Sequence, residues 1–273
     1  MTHDLTYESL NTLPIWQRMA SITLDEMQRV KLMNRIDTKY VLRYDEVVML
    51  LERLAGCGYR VQMLGDIRAA RYDTLYYDTP TRQMYVAHHN QQLTRQKVRT
   101  RTYVESGTTF LEVKNKSNRG RTRKRRVEIS RSSFHNFTLE SSALEFYAEH
   151  GRHAIEQLSP ALATRFTRIT LVNPLLTERL TIDLELRYED MRSGHCASIS
   201  NMAIVELKQD GLCSSSTKMA MQEMRISPLK VSKYCLGTTL TVADIRKNRF
   251  KAKLRDIEKR LGGRGIITTQ KTE

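Results

Sequence analysis

Three consecutive runs of alternating charge between Leu93 and Arg131 constrain this chain more than any other feature. Lys97, Arg99 and Arg101 are spaced two apart, as are Glu112, Lys114 and Lys116, and then Lys124, Arg126 and Glu128. A β-strand sends successive side chains to opposite faces, so each run predicts a strand with one charged face. Val98, Leu111, Val113, Val127 and Ile129 fall on the other side. Turns are expected at Ser106-Gly107 and Asn118-Arg119-Gly120. The same 39 residues hold thirteen Lys or Arg against three Glu. Like charges on neighbouring strands repel, so such a sheet is costly unless an anion lies on it.

Other segments repeat the pattern. Residues 35–42 read as a strand with Arg35, Asp37 and Lys39 on one face, and the Tyr-rich residues 71–78 as another, closed by Thr79-Pro80. Strands are expected again at 163–172, 178–188 and 203–209. In the second of these, Arg179, Thr181, Asp183 and Glu185 oppose Leu180, Ile182, Leu184 and Leu186. In the third, Glu206 and Lys208 oppose Val205 and Leu207. Helical spacing marks the segments between. Thr23-x-x-Glu26 has the form of a capping box and opens a helix to about Lys31. Asp45 caps a helix whose stripe is Val47, Val48, Leu51 and Leu54. Residues 81–92 read as irregular or as a short helix. Helices follow at 138–150, stopped by Gly151, and at 217–225. A last one spans 242–261, with apolar residues at 242, 245, 250, 254, 257 and 261 and a basic solvent face.

Seven or eight strands of this kind make two demands. Their apolar faces need a cover, which helices supply, and their charged faces need an anion. A sheet closed into a barrel, with helices outside and charges inside, meets both. The expected class is α+β, in a single domain over residues 1–273, because no repeat or low-complexity linker divides the chain. No run approaches the roughly 20 apolar residues of a membrane span. The N-terminus lacks the shape of a signal peptide, which makes the cytoplasm the expected location. Cys57, Cys196, Cys213 and Cys235 show no C-x-x-C spacing, and a chain of 273 residues needs no disulfide framework. Residues 93–131 and 244–264 together hold the whole excess of +15. The basic terminal helix is a candidate for docking on a membrane surface or an acidic partner.

A cation-lined interior with a few carboxylates suits phosphates. Glu112, Glu128, Asp183, Glu185 and Glu206 share the charged faces with Lys and Arg. They serve as internal salt-bridge partners or, for some, as ligands of Mg²⁺ or Mn²⁺, hard ions that accept a carboxylate or two plus phosphate oxygens. Phosphoryl transfer needs positioning and charge neutralisation rather than covalent help. Neither G-x-x-x-x-G-K-[ST] nor G-x-G-x-x-G occurs, so a nucleotide must be held by side chains. Nucleic acid is the rival polyanion. The charged strands lack the interleaved aromatics of single-strand binders, and Glu112 and Glu206 would repel a backbone, so no nucleic acid is expected.

Several short motifs stand in a definite order: Arg35-x-Asp37-x-Lys39-Tyr40, Tyr77-Asp78-Thr79, Lys97-x-Arg99-x-Arg101, Leu111-Glu112-Val113-Lys114, Glu206-x-Lys208 and Lys230-x-Ser232-Lys233-Tyr234. In them the chain, from about Met33 to Gly237, resembles the VTC-type polyphosphate polymerase domain, a member of the CYTH-like triphosphate tunnel metalloenzymes. The resemblance implies an eight-stranded antiparallel β-barrel, the triphosphate tunnel. In it ATP, with Mn²⁺ or Mg²⁺, lengthens an inorganic polyphosphate chain, a phosphotransferase activity of the polyphosphate kinase type. It implies catalytic roles for Lys39, Arg99, Arg101, Lys208 and Lys233. Phosphate and chain contacts are implied at Arg35, Lys97, Lys114, Lys124, Arg126, Arg168, Arg179 and Lys230, and metal carboxylates at Glu206 and Glu112. Arg suits bidentate phosphate recognition, while Lys acts as a point charge. Arg35-x-Asp37-x-Lys39 stands where the cyclase and triphosphatase branch carries E-x-E-x-K, which favours the polymerase branch over a tripolyphosphatase or nucleoside triphosphatase. Arg165 and Arg168 have opposite parity, and the aromatic-x-Arg pattern of Phe166-x-Arg168 points Arg168 inward.

Overall fold

The computed structural model describes residues 5–28, 35–211, 213–263 and 267–271. Eight long strands form its frame: β1 Arg35–Leu42, β2 Ala69–Asp78, β3 Arg95–Tyr103, β4 Thr109–Lys116, β5 Thr122–Ile129, β6 Ser159–Val172, β7 Glu178–Asp190 and β8 Ala203–Asp210. Neighbours are antiparallel throughout, in the order β1-β8-β7-β6-β2-β3-β4-β5. Short strands flank this sheet. Ser21–Ile22 pairs with Arg60–Gln62 beside the end of β6, and Ile267–Lys271 pairs with His195–Ile199 beside β7.

The sheet curls. Lys114 on β4 lies within electrostatic range of Glu206 on β8 and Asp37 on β1, strands at the far end of the order. The charged faces therefore form the concave side, as expected of a tunnel sheet. No ladder joins β1 to β5 among the described residues, so the sheet is a half-barrel with a seam.

Eight helices pack around it among the described residues: α1 Tyr7–Asn11, α2 Leu24–Gln28, α3 Tyr44–Gly56, α4 Gln83–His89, α5 Ser141–His150, α6 Ser216–Glu223, α7 Lys233–Thr241 and α8 Asn248–Arg260. None is long and apolar enough to cross a membrane. The Thr23–Glu26 capping box closes in both directions, at 2.8 and 3.2 Å. The residues after Gln28 of that expected helix lie outside the described residues. α3 begins one residue ahead of the expected Asp45 cap, where Glu46 accepts the Arg43 N–H at 2.7 Å. α8 begins at Asn248 rather than 242.

Two apolar clusters cover the convex side. Val47, Leu50, Leu51 and Leu54 of α3 pack on Leu180, Ile182, Leu184, Val205 and Leu207. Ala143 and Tyr147 of α5 pack with Leu75, Val98, Leu111, Val113 and Ile129. A third cluster lies at the concave side. Tyr72, Tyr76, Leu162, Phe166, Leu186 and Tyr188 are concave-side residues, and Tyr234 and Leu236 of α7, with Ile257 and Leu261, pack on them. A Cβ on Gly237 would lie 2.4 Å from Tyr188 and 2.7 Å from Leu162, so glycine allows α7 this approach. One end of the hollow is thus filled by aromatic and aliphatic side chains.

The alternation of β7 breaks at Glu185. Its φ is 50° and the β6–β7 register shifts beside it, the signature of a bulge. The Glu185 carboxylate accepts Thr167 Oγ1 at 2.7 Å, and its N–H donates to the Tyr44 hydroxyl at 3.3 Å. Beyond the bulge the parity is reversed. Leu186 joins the concave cluster, and Glu185 leaves the charged face on which simple alternation placed it.

Candidate active site: a cation-lined concave face

Three carboxylates organise the concave face, each gripped by two cations. Glu206 on β8 meets Lys39 across the β1 ladder at 2.9 Å and Lys208 at 3.9 Å. Asp183 on β7 accepts Arg168 of β6 in a bidentate pair, at 2.5 and 2.8 Å, and also the Lys233 ammonium. Glu112 on β4 accepts Arg99 of β3 at 2.7 Å and Lys124 of β5. Burial opposes ionisation of all three, but the paired cations outweigh it and hold each carboxyl well below the usual range.

Five further cations on this face, Lys97, Arg101, Lys114, Arg126 and Arg179, have no ion-pair partner among the described residues. Lys97 donates to Ser232 Oγ at 3.0 Å, and Arg101 Nε to Thr74 Oγ1 at 3.0 Å. Arg126 lies over the Phe110 ring at 4.4 Å. Burial lowers Arg101, with Arg99 and Arg168 adding to it; Arg179 is lowered by burial, Arg35 and Arg168. Arg179 Nε, Thr181 Oγ1, Thr164 Oγ1 and Tyr188 OH are buried without a hydrogen-bond partner. Unpaired buried polar atoms are costly, and together with the unneutralised charge they mark a surface shaped for anionic oxygens.

The expected site residues do not all converge. Lys39, Arg99, Arg101, Lys208 and Lys233 face the hollow, with Arg168, Arg179, Lys97 and Lys114 around them. Arg168 points inward, while Arg165 points outward to Asp73 and Glu189. Lys124 and Arg126 stand at the seam on β5. Arg35 is largely solvated and pairs with its neighbour Asp37 at 2.7 Å. Lys230 is exposed and lies near Lys253, whose ammonium is depressed by burial and then by the Lys230 charge; this sets Lys230 apart from the tunnel cations.

The carboxylates do not form a metal cage. Among the described residues no three His, Cys, Asp or Glu side chains gather in a way that could hold an ion. The Glu112 side chain is 1% exposed and both its oxygens are occupied, so it is the counter-ion of Arg99 and Lys124 rather than a metal ligand. Glu206 does fit. Its side chain is 19% exposed, it faces the hollow, and its partners are two lysines free to turn towards phosphate. A hard cation is commonly held by one or two carboxylates plus substrate phosphates.

Sequence reasoning gave Tyr76 and Asp78 no role in the site and offered Asp183 only as a salt-bridge partner or metal ligand. Asp183 was visible by parity; its partner Lys233 was not, because it arrives from a helix. The Tyr76 hydroxyl accepts Arg99 Nη1 at 3.2 Å. Burial would raise its pKa, but Arg99, Lys97, Arg101 and Lys233 draw it down to about 8. The fully buried Asp78 joins two of the sequence motifs. It accepts the backbone N–H groups of Thr79, Met84 and Tyr85, at 2.7, 2.9 and 3.0 Å, and the Tyr234 hydroxyl. It thereby closes the start of α4 and ties down α7, so that Lys233 reaches Asp183. Tyr234→Phe is expected to cost roughly 1.5–3 kcal/mol, the range for a hydrogen bond to a charged group, measured by urea denaturation.

Lys208 gives the site a pH dependence. Burial, then Arg168 and Arg179, pull its ammonium down to about 7 against the attraction of Glu206. In the free protein it loses its charge as pH rises through that value, and a bound anion restores the proton. Tripolyphosphate affinity should therefore fall as pH rises above about 7, with proton uptake on binding. Lys208→Arg, charged throughout, should flatten the profile, read by calorimetry in buffers of differing ionisation heat. For folding the sign is reversed: the unfolded chain keeps this proton into the ordinary lysine range, so Lys208 favours the fold increasingly as pH rises above about 7.

A half-barrel whose concave face gathers cations around three ion-paired carboxylates defines the class, a tunnel-fold protein with an interior suited to phosphates. The VTC domain family matches residues 34–242. The chain belongs to that family. No curated protein matches it. Among solved structures it is similar to a candidate adenylate cyclase from Vibrio parahaemolyticus, at 14% identity over 76% of this chain and 99% of that one, with a TM-score of 0.45. It is also similar to a candidate adenylate cyclase from Bacillus halodurans (14% identity, 73% and 96% coverage, TM-score 0.45). A third is a candidate adenylyl cyclase from Hippeastrum, described as having a dominant triphosphatase activity (14% identity, 77% and 99% coverage, TM-score 0.47).

Proposed function

We propose that this chain is a polyphosphate polymerase that transfers the γ-phosphoryl group of ATP to the end of an inorganic polyphosphate chain. VTC-family membership supports phosphoryl chemistry on polyphosphates or triphosphates. The observation that carries the finer reading is the run of unpaired cations from Arg179 on β7 through Arg101 and Lys97 on β3 to Lys114 and Arg126 on β4 and β5. That lining extends beyond what one triphosphate needs and offers a path to a longer anion.

In this mechanism Arg99, Arg101, Arg168 and Lys233 neutralise the ATP phosphates, and Lys39 and Lys208 turn from Glu206 towards them. A terminal oxygen of the chain attacks the γ-phosphorus in line; the new P–O bond forms as the bond to the β-phosphate oxygen breaks, and ADP leaves. No side chain acts as nucleophile, in keeping with a reaction governed by positioning and charge. A Mg²⁺ or Mn²⁺ ion at Glu206 would supply further neutralisation of the phosphate oxygens. The partners are ATP and polyphosphate rather than nucleic acid, the location is the cytoplasm, and residues 1–273 act as one tunnel domain.

The alternative within the fold is a triphosphatase, in which water replaces the acceptor. Incubation with ATP and Mn²⁺ separates the two. Long phosphate chains resolved on a gel support polymerase, and free phosphate alone overturns it.

A further inference from the structure

We infer that the β4–β5 hairpin carries a second polyphosphate-binding surface, outside the tunnel, that receives the linear chain as it crosses the seam. The inference rests on the polyanion reading of the concave face and extends it around an edge. β5 pairs with β4 on one side and with no strand on the other among the described residues. Residues 119–126 contain six cations and no carboxylate. Arg119, Arg121, Arg123 and Arg125 are exposed, and none has an ion-pair partner among the described residues.

Parity divides the strand. Lys124 and Arg126 face the hollow with Glu112 and Lys114, while Arg123 and Arg125 share the convex side with Val127 and Ile129. Their cross-strand neighbours there, Asn115 and Val113, are uncharged. Arg119 and Arg121 continue the set through the turn. Charges therefore recur every ~7 Å on each face of one strand, and a chain leaving at Lys124 and Arg126 has only the width of that strand to cross.

Two features separate this from an ordinary solvated edge. Proteins that protect a free edge with charge favour Lys, whereas five of these six cations are Arg, the side chain whose planar fork matches phosphate oxygens. The other basic surface, α8, has two carboxylates among its six cations, and Arg260 pairs with Asp256 at 3.0 Å. On the hairpin Lys124 pairs inward with Glu112, but the four exposed arginines have no such offset among the described residues, and their like charges repel until an anion lies along them. The exposed positions also lack the aromatic side chains on which nucleic-acid bases stack.

The test compares the full chain, a hairpin variant (R119Q/R121Q/R123Q/R125Q) and a charge-matched control on the solvent face of α8 (R249Q/K251Q/R255Q/K259Q). Affinities for tripolyphosphate and for long-chain polyphosphate are measured by calorimetry at fixed salt. The hairpin variant should lose about tenfold in long-chain affinity, as several exposed charge contacts together supply, and keep its tripolyphosphate affinity. The control should keep both. Equal losses in hairpin variant and control, or none in either, overturn the inference. So does single-stranded RNA of matched charge that binds as tightly and is lost with the same substitutions. If tripolyphosphate fails to bind the unmodified chain while the hairpin variant still weakens long-chain binding, the tunnel reading falls and the outer surface stands.

Discussion

Asp183→Ala is expected to lower folding stability by roughly 3–5 kcal/mol, the range for removing one partner of a buried ion pair. Asp183 is 1% exposed and is the one carboxylate at ion-pair distance from Arg168 and Lys233 among the described residues. When it goes, both cations stay in place: Arg168 lies over Tyr72 at 4.8 Å and Phe166 at 5.2 Å, and Lys233 over Phe166 at 4.6 Å. Lys233 has a way out, because burial already draws its ammonium down and it can shed the proton. Arg168 does not. It remains the uncompensated charge, and the cost is mostly its own. In the unmodified chain the depressed Asp183 pKa contributes stability above the ordinary carboxylate range that is lost as pH falls into acid. Thermal melts should show the variant unfolding lower, and tripolyphosphate should raise its midpoint more than that of the parent, because a bound anion replaces the missing carboxylate. An unchanged midpoint would show that the two cations escape to solvent instead.

The charged strands were legible because a period of two has few alternatives once one face is buried. Parity alone placed Lys97, Arg99, Arg101, Lys114, Lys208 and Arg179 on one side, and the ladders put them there. Parity fails where the backbone inserts a residue. Nothing in the residues 178–188 announces the positive φ of Glu185, so its side chain was assigned to the wrong face and Leu186 with it. α7 was missed for a different reason. Gly237 and the threonines at 238, 239 and 241 are poor helix formers, and its buried residues, from Tyr234 through Thr239, surround the helix instead of forming a stripe. A helix wedged into a concave sheet has no polar face to reveal it. Glu112 illustrates a third limit: a carboxylate among cations is a metal ligand or a counter-ion according to how closely Arg99 and Lys124 approach, and spacing along one strand is silent on that.

Glu206→Ala is expected to cut metal-dependent product formation by about 10²–10³-fold, the scale of losing one preorganised electrostatic group, while the fold persists. The contrast with Asp183 is one of exposure. The side chains of Glu206, Lys39 and Lys208 are 19%, 25% and 16% exposed, so removing the carboxylate leaves both lysines within reach of water. Lys208 also loses the larger of the two attractions, Glu206 and Asp37, that keep its proton against burial, Arg168 and Arg179; it can respond by deprotonating, which limits the cost to stability. Without metal, tripolyphosphate should bind the variant at least as tightly as the parent, because a negative charge has left the cavity and a phosphate can restore the Lys208 proton. Turnover lost, fold kept and metal-free binding kept would assign Glu206 to the metal. Turnover that survives would sink that assignment. A variant that loses its fold as well would place Glu206 beside Asp183, as a carboxylate whose work is to hold cations in position for the anion.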